Sequence, residues 1–452
     1  MKRFLAFFLS LLFIVTGSGA VYAISEKEII DRLEALTQTV AKQQEEIRYL
    51  KQQLEAQKAA AEGLSGKKEA ATERVAAKEP EEKKFPEWTE RVKVGGDLRL
   101  RYEGLYNREQ QQTNGTTTPI PTRDQYRIRA RVFVDGTVSD EVSAHFMLST
   151  NQDTNKEAPT TNQTLKDDFN DKSIYLHRAY GIYKPHWLEG LELGAGKFKN
   201  PFLHTDIMWD PDVNPEGIYE RYQYKGWKTF QPFVQLGQMV VNEIDRETDD
   251  AALYIFQAGF DWKIGPVKWT LAGSYYDWAN LQNSTYLHLG TYKSGGGNTF
   301  TGTLGTTAQY KYDYNLAEAI TFLNFNAWSV PVKLTFDYIR NTESVPTEDT
   351  AYYAGFTLGE TKKKGDLSLD YKYARIERDA LLGSMADMDF YGANRKGHKV
   401  TFGAMLLDRL LFQTAYFYTD LVTPWVPSST NWTNEQYWGH EERLQVDFVL
   451  SF

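Results

Sequence analysis

The amino-acid sequence predicts an all-β fold, a 16-stranded antiparallel transmembrane β-barrel with an N-terminal α-helical coiled coil. Residues 26–57 repeat apolar side chains every three and four positions, which is typical of a coiled coil. From residue 92 onward, apolar side chains instead recur at every second position, which is typical of membrane-crossing strands. The connections between these alternating segments are long and short in turn, as in a barrel whose two ends differ.

The chain is predicted to begin with a signal peptide over residues 1–23. Lys2 and Arg3 supply a positive start, residues 4–15 are apolar, and small residues end the segment at Ala23. A transmembrane helix is the alternative interpretation, but the apolar run is too short to favour it. After residue 23 no run of about 18 apolar residues remains, so an exported chain would cross a membrane with strands.

Residues 24–57 are predicted to form a periplasmic coiled coil for oligomerisation, and residues 58–90 a linker. The a positions carry Leu33, Val40, Ile47 and Leu54, and the d positions carry Ile29, Leu36, Gln43 and Leu50. A single amphipathic helix packed on a domain is the alternative, but the narrow stripe favours self-association. Three helices would suit a homotrimer, although the a and d residues do not determine the number. The linker is rich in Ala, Glu and Lys and has no sustained apolar period.

Composition narrows the classes of function. The chain has a formal net charge of −9, and loss of the signal peptide with its two basic residues would leave −11. A nucleic-acid partner is not expected, because such proteins need a basic surface. The chain has no cysteine, so an exported barrel would depend on inter-strand hydrogen bonds instead of disulfides. Aromatic residues make up 14% of the chain, as expected where every second strand residue meets lipid.

The barrel is predicted to occupy residues 91–452. In its first segment Val94, Leu98 and Leu100 share one face, and Arg99 and Arg101 lie on the other. Sixteen such segments are predicted, at 92–106, 123–138, 141–150, 172–184, 190–199, 215–225, 228–241, 250–263, 266–278, 316–328, 332–341, 351–361, 366–377, 398–407, 409–420 and 441–452. Long outer loops and short periplasmic turns alternate between them without exception. An even number of strands places both barrel ends on the periplasmic side, where the coiled coil is expected.

The barrel ends also carry aromatic signals. Five tryptophans lie at or beside short turns, where a periplasmic girdle facing the lipid is expected: Trp187, Trp227, Trp262, Trp269 and Trp328. The alternative is that these tryptophans lie near the turns by chance, because the chain is rich in aromatic residues. The last segment ends on Phe452, which is similar to the C-terminal signal that the barrel assembly machinery recognises. The predicted partners are therefore outer-membrane lipid, the assembly machinery and further copies of the chain.

These features together resemble bacterial outer-membrane porins, in particular the putative-porin family with an N-terminal periplasmic coiled coil. The architectural likeness covers about residues 26–452. A more specific likeness lies in Leu176-His177-Arg178-Ala179-Tyr180, Gly196-Lys197-Phe198-Lys199-Asn200-Pro201-Phe202, Trp209-Asp210-Pro211-Asp212 and Asn214-Pro215-Glu216-Gly217. The resemblance implies an outer-membrane trimer in which the loop after the fifth strand folds into the lumen and narrows it.

A basic patch is predicted on the luminal wall. The patch comprises Arg99, Arg101, Arg123, Arg127, Arg129 and Arg131. Placing such an arginine on the lipid face would cost about 2–4 kcal/mol near the midplane, so it is expected to face the lumen. Wall charges select ions in narrow pores, which favours a role in selectivity. The alternative is that the arginines pair with Asp97, Glu103 and Asp135 and only stiffen the wall.

Arg178 is also expected inside, although the alternating pattern does not place it there. It shares parity with Leu176 and Tyr180, which would direct it towards lipid. Either a β-bulge shifts the register at this point, or the odd-numbered neighbours form the outer face.

The loop over residues 200–214 and the start of the next strand carry several acidic residues. Asp206, Asp210, Asp212 and Glu216 are predicted to line a constriction opposite the arginines and to create a transverse field. Asp210, Asp212, Asn214 and Glu216 also resemble calcium ligands in their spacing. Pro215, however, occupies the position at which an EF-hand needs glycine, so ordinary loop structure is favoured and no cofactor is expected.

Two further patterns favour structural roles. Ser143 and His145 share a strand face, but the sequence identifies no third group to orient the histidine and no oxyanion donors, so no enzyme is predicted. Aromatic residues of the long loops could guide sugars or form an upper girdle, and the girdle is favoured. They are Tyr275, Tyr276, Trp278, Trp425, Trp432 and Trp438.

The leading functional hypothesis is a water-filled channel for passive diffusion of ions and small hydrophilic solutes, with a basic luminal wall facing an acidic constriction loop. Sixteen strands leave an aqueous bore, whereas eight would be filled by side chains. The alternative is a plugged barrel that tethers the outer membrane to the cell wall. The identity of the solute stays open.

Overall fold

The computed structural model describes residues 91–111, 116–151, 160–166, 168–243, 250–282, 295–302, 309–343, 345–390, 392–423 and 439–452. The predicted signal peptide, coiled coil and linker lie outside these residues. No helix in the described ranges is long and apolar enough to cross a membrane.

Sixteen strands of the described chain form one closed antiparallel barrel. They are β1 (Val92–Tyr106), β2 (Arg123–Thr137), β3 (Val142–Thr150), β4 (Ile174–Tyr183), β5 (Leu191–Lys197), β6 (Glu216–Gln223), β7 (Phe230–Val240), β8 (Ala252–Ile264), β9 (Val267–Ala279), β10 (Asn315–Ala327), β11 (Val330–Asn341), β12 (Thr350–Gly359), β13 (Leu367–Ile376), β14 (Arg395–Leu407), β15 (Leu410–Leu421) and β16 (Glu441–Ser451). Each strand pairs with its neighbours in sequence, and β1 also pairs with β16, from Asp97 opposite Ser451 to Tyr106 opposite Glu442. The prediction of a closed 16-stranded barrel is confirmed.

The alternating pattern places apolar side chains outside and charged ones inside. In β1, Val94 and Leu100 are 66% and 51% exposed on the outer face, whereas Asp97 and Glu103 on the inner face are buried. Outward apolar groups meet lipid, and inward polar groups bind one another, which is the arrangement expected of a membrane barrel.

A β-bulge interrupts the alternation in β4. Met147 of β3 lies opposite Arg178, but the next residue, Leu148, lies opposite Leu176, so His177 is the extra residue. His177 is buried and Leu176 is exposed on the outer face. The bulge turns both His177 and Arg178 inwards, which is the first of the two alternatives that the sequence left open.

The two ends of the barrel differ in their connections. Tight turns of two residues join β8 to β9, β10 to β11 and β14 to β15 at one end. Gly265 has φ +58° in the first of these, a conformation that glycine adopts without strain. Trp187, Trp227 and Trp328 are 55–100% exposed at this end, as expected of an aromatic girdle.

At the opposite end, three long loops fold into the barrel and form an apolar core with its inner wall. They are loop 198–215, the described parts of loop 280–314, and loop 377–394. The core includes Phe202, Trp209, Phe300, Tyr314, Leu381 and Phe390. Tyr276 and Trp278 are 1% exposed within this core, so the predicted upper girdle is wrong for them. Tyr275 is 43% exposed on the outer face, while Trp425, Trp432 and Trp438 lie outside the described residues.

Candidate functional site in the barrel lumen

The arginines of β2 are held by carboxylates of β1. Asp97 accepts a hydrogen bond from Arg129 Nε at 3.0 Å and another from Arg131 Nε at 2.8 Å. Arg127 lies 3.5 Å from Glu103. These pairs follow from the register, because alternate residues of neighbouring strands lie side by side on the inner face.

Arg101 connects the junction between β1 and β16, which we call the barrel seam, to loop 377–394. Its guanidinium donates to both oxygens of Asp447 in β16, at 2.7 and 2.8 Å. It also donates to Asp389 of loop 377–394 at 3.3 Å. Asp389 is held further by Arg443, at 2.5 Å, and by Gln445, at 2.9 Å. The loop is thereby clamped against β1 and β16.

The remaining arginines of the predicted patch have other surroundings. Arg123 is exposed at the loop end of β2. Arg99 donates to the side-chain oxygen of Asn162, and Arg178 donates to that of Asn214 at 2.6 Å. Each of these two guanidinium groups is therefore oriented by an amide and not by a carboxylate.

Loop 198–215 crosses the lumen and is bound to the opposite wall. Leu203 exchanges two backbone hydrogen bonds with the side chain of Gln257 in β8, at 2.9 and 2.8 Å. Thr205 donates to Asp337 of β11 at 2.5 Å. Asp206 accepts from Lys372 of β13, also at 2.5 Å. The predicted acidic loop thus lies inside the barrel.

The acidic residues of this loop do not act as one group. Asp210 accepts from the backbone of Asp212 at 2.7 Å, and its own N–H donates to Met385 of loop 377–394 at 2.6 Å. Asp212 accepts from the backbone and the hydroxyl of Thr161, both at 2.9 Å. Glu216 begins β6 and is 61% exposed. The loop therefore contacts loop 377–394 at Asp210, whose carboxylate also accepts from the Met388 N–H at 3.4 Å, and it contacts Thr161 through the Asp212 carboxylate.

Burial and repulsion control the ionisation of Asp210. Burial and the neighbouring carboxylates of Asp387 and Asp212 raise the pKa of Asp210 well above its usual range. Burial also raises the pKa of Asp387, although Lys399 and Lys372 oppose the shift. The neutral form of Asp210 is therefore favoured where the two loops meet.

Asp389 has the opposite behaviour. Burial by itself would raise its pKa, but the guanidinium groups of Arg443 and Arg101 outweigh that effect and hold the pKa of Asp389 well below its usual range. An ionised carboxylate consequently sits between arginines of the first and last strands.

Three of the four residues with calcium-like spacing bind side chains outside this set. Asp212 binds Thr161, Asn214 binds Arg178, and the Glu216 carboxylate lies 2.6 Å from Lys197. Within the described ranges, no group of three or more acidic, histidine or cysteine side chains could hold a metal ion.

Ser143 and His145 have an orienting partner that sequence reasoning did not identify. His145 Nδ1 lies 2.6 Å from a carboxylate oxygen of Asp135, and its Nε2 lies 2.8 Å from the Ser143 hydroxyl. The expectation that no third group orients the histidine is therefore wrong. Ser143 lies opposite Thr137 and Ile182 on its two sides, so the strand that carries it is paired on both edges within the barrel.

Sequence reasoning missed several charged residues of the lumen. Lys372, Lys399 and Arg443 lie on the inner face of β13, β14 and β16, and the same alternation that identified the arginines of β2 could have found them. Asp387 and Asp389 lie in a loop without strand periodicity. The signal there was an apolar composition, for example Leu381 and Leu382 within residues 377–394, which is unusual for an outer loop facing water.

The closed barrel, its charged inner wall and its in-folded loops define a porin-like transmembrane β-barrel. The model of the family described as "Putative porin" matches residues 25–301, more than half of the chain, and the chain belongs to this family. Family and fold together place the protein in the outer membrane and in the class of channels. No curated protein matches the chain.

Three solved structures are similar to this chain. OprB of Pseudomonas putida, in a high-pH structure, is 12% identical, with a TM-score of 0.50 over 80% of this chain and 95% of that chain. The trimer form of Vibrio cholerae OmpT is 13% identical, with a TM-score of 0.45 over 80% and 99%. Salmonella typhi OmpF in complex with daunomycin is 11% identical, with a TM-score of 0.45 over 80% and 97%. At these identities the likeness to OprB shows the fold alone.

Proposed function

We propose that this protein is a water-filled outer-membrane channel for passive diffusion of ions and small hydrophilic solutes. The observation that carries the proposal is the exposure of charged side chains inside a closed sheet. Arg131, Lys399 and Asp389 are 22%, 24% and 31% exposed, although each faces the interior of the barrel. Charges that stay in contact with water within a closed barrel are expected of a pore and not of a filled core.

The wall charges are proposed to set the selectivity of this channel. The basic lining would comprise Arg99, Arg101, Arg127, Arg129, Arg131 and Arg178, with Arg123 at the entrance. The acidic constriction would comprise Asp206, Asp210 and Asp212, with Glu216 at its end. Loop 377–394 adds Asp387 to this side, because Lys372 pairs with both Asp206 and Asp387, so the constriction is proposed to consist of two loops.

Conductance of the purified full-length protein in planar bilayers tests the proposal. We expect discrete, long-lived opening steps and a reversal potential away from zero under a potassium chloride gradient. The same preparation after heat denaturation serves as the control. Absence of opening steps from correctly folded protein would refute the channel function.

The second candidate is a plugged barrel that tethers the outer membrane to the cell wall through residues 24–57. The apolar core of the three in-folded loops favours this function, because it fills part of the lumen at the loop end. If the protein is a tether, it should give no channel openings in planar bilayers, and it should co-sediment with purified peptidoglycan. Open-channel steps would reject the plugged form.

Trimerisation through the periplasmic coiled coil is proposed as well. The heptad over residues 26–57 supports self-association, since its apolar positions form a narrow stripe. Chemical crosslinking of the full chain should give a trimer, and deletion of residues 26–57 should weaken it. A trimer that is equally stable after the deletion would assign assembly to the barrel wall.

A further inference from the structure

Four luminal arginines lie together where β1, β2 and β4 meet loop 198–215. We call Arg99, Arg129, Arg131 and Arg178 the arginine cluster. Arg129 and Arg131 share the single carboxylate of Asp97. In the described part of the chain, neither Arg99 nor Arg178 has a carboxylate at ion-pair distance, and each binds an amide oxygen.

The amides come from two loops that Asp212 joins. Asn162 orients Arg99, and the adjacent Thr161 donates its backbone N–H and its hydroxyl to Asp212. Two residues beyond Asp212, Asn214 orients Arg178. Both carboxylate oxygens of Asp212 thus accept hydrogen bonds from Thr161, and Asp212 acts on the arginines only through space.

Positive charge is consequently in excess. Among the described residues, the arginine cluster brings four guanidinium groups, and the nearby carboxylates are Asp97, Asp212 and Asp447. Asp447 is already bound through both oxygens by Arg101, so Asp97 and Asp212 leave a surplus of two positive charges. Arg99 Nε is also buried without a hydrogen-bond partner. A buried cation that lacks a counter-ion is unfavourable, so this place would gain from a bound anion.

We propose that the arginine cluster is a binding site for a small oxyanion, a carboxylate or phosphate that carries two negative charges. The planar guanidinium presents several N–H donors in a fork that matches two oxygens of such a group. Because Asn162 and Asn214 use one donor of Arg99 and of Arg178, further donors stay available for the ligand. The proposal rests on the channel function, since the ligand would reach the cluster through the lumen.

Wild-type full-length channels in planar bilayers provide the first test. Inorganic phosphate and succinate, added at millimolar concentration, should reduce the chloride current in a saturable way, and uncharged glycerol should not. The wild-type measurement does not depend on whether a variant folds. A chloride current that neither anion changes would overturn the site while leaving the channel function intact.

Single substitutions in the arginine cluster test whether phosphate and succinate block the chloride current by binding there. Arg99→Gln and Arg178→Gln should each weaken block by phosphate and succinate about tenfold, because each loses a charge-assisted hydrogen-bonding group. Arg99→Lys should keep the chloride preference but lose much of the block, since it keeps the charge without the fork. Lys333→Gln is the matched control, because it removes one luminal charge in β11, away from the cluster.

The results for these variants distinguish failure of the proposed anion site from failure of the proposed channel function. Block that is equal in Arg99→Gln, Arg178→Gln and wild type would reject the cluster as the site. Channels that never open would instead refute the channel function and the site together.

Discussion

The luminal arginines of β1 and β2 have different electrostatic surroundings, although they occupy equivalent positions in the alternating pattern. Arg101 is 7% exposed and has three carboxylate partners, Glu103, Asp389 and Asp447, whereas Arg99 has an amide. The first arrangement stabilises the barrel seam, and the second leaves Arg99 without a carboxylate partner among the described residues. At the scale of single residues, parity alone therefore does not separate structural from functional arginines.

We expect Arg101→Ala to destabilise the barrel strongly. The substitution would leave Asp447 and Asp389 with less compensation in a largely buried place, at a cost of about 3–5 kcal/mol. The free energy of unfolding in urea, measured in detergent or lipid, checks this. Arg340→Ala is the control, because Arg340 is 61% exposed and its pair with Asp349 should contribute at most about 1 kcal/mol. Equal effects of the two substitutions would contradict the role of Arg101.

At the scale of elements, the in-folded loops pack too closely for side chains at certain glycines. A Cβ added to Gly383 in loop 377–394 would lie 1.8 Å from the backbone oxygen of Gly296 in loop 280–314. Ala393 also donates its N–H to Gly296 at 2.8 Å. The loops thus meet backbone to backbone, which fixes their relative position.

Gly383→Ala should separate these two loops and increase the single-channel conductance. A methyl group cannot fit against a backbone oxygen, so the two loops must move apart, which should widen the passage between them. Gly136→Ala in β2 is the matched control, because a Cβ there meets its nearest atom at 3.8 Å. Unchanged conductance and unchanged protease sensitivity of loop 377–394 would show that this contact does not limit the opening.

The contact between loops 198–215 and 377–394 should weaken as the pH rises. The pKa of Asp210 is raised in the docked loop, so docking is most stable below the usual pKa of aspartate. That stability is lost as the pH rises through the raised pKa, and Asp387 shifts in the same direction. Hydrogen exchange of the Asp210 amide, corrected for intrinsic rates, measures the effect. Asp210→Asn cannot titrate and should reduce the pH dependence; an unchanged dependence would assign it to other groups.

At the scale of the whole molecule, the seam between β1 and β16 joins the two ends of the barrel domain. Phe452 donates its N–H to Gly96 at 3.0 Å and accepts one from Gly96 at 3.1 Å. The terminal residue therefore contributes to closure besides being the predicted recognition signal for assembly.

Deletion of Phe452 should reduce the amount of assembled barrel in the outer membrane severalfold. The deletion removes two hydrogen bonds at the seam together with the terminal aromatic ring. Heat-modifiable electrophoretic mobility of membrane fractions measures assembly. Phe452→Tyr keeps the ring and the backbone and should assemble normally. Normal assembly of the deletion variant would exclude both roles of the terminal residue.

The amino-acid sequence by itself determined the barrel, its sixteen strands and the inward direction of Arg127, Arg129 and Arg131. These properties follow from a period of two, which is local to each strand and is enforced by the cost of placing charge in lipid. The same rule would have found Lys372 in β13. It could not place Arg178, because a bulge breaks the period there.

The tertiary structure alone decided which charges meet and which loops enter the lumen. Arg101 and Asp447 are 346 residues apart and become partners only when the barrel closes. Asp389 lies in a loop whose position depends on backbone contacts with two other loops and on arginines of both terminal strands. Such contacts depend on how segments that are distant in sequence pack in three dimensions. A periodic pattern along the chain contains no information about that packing.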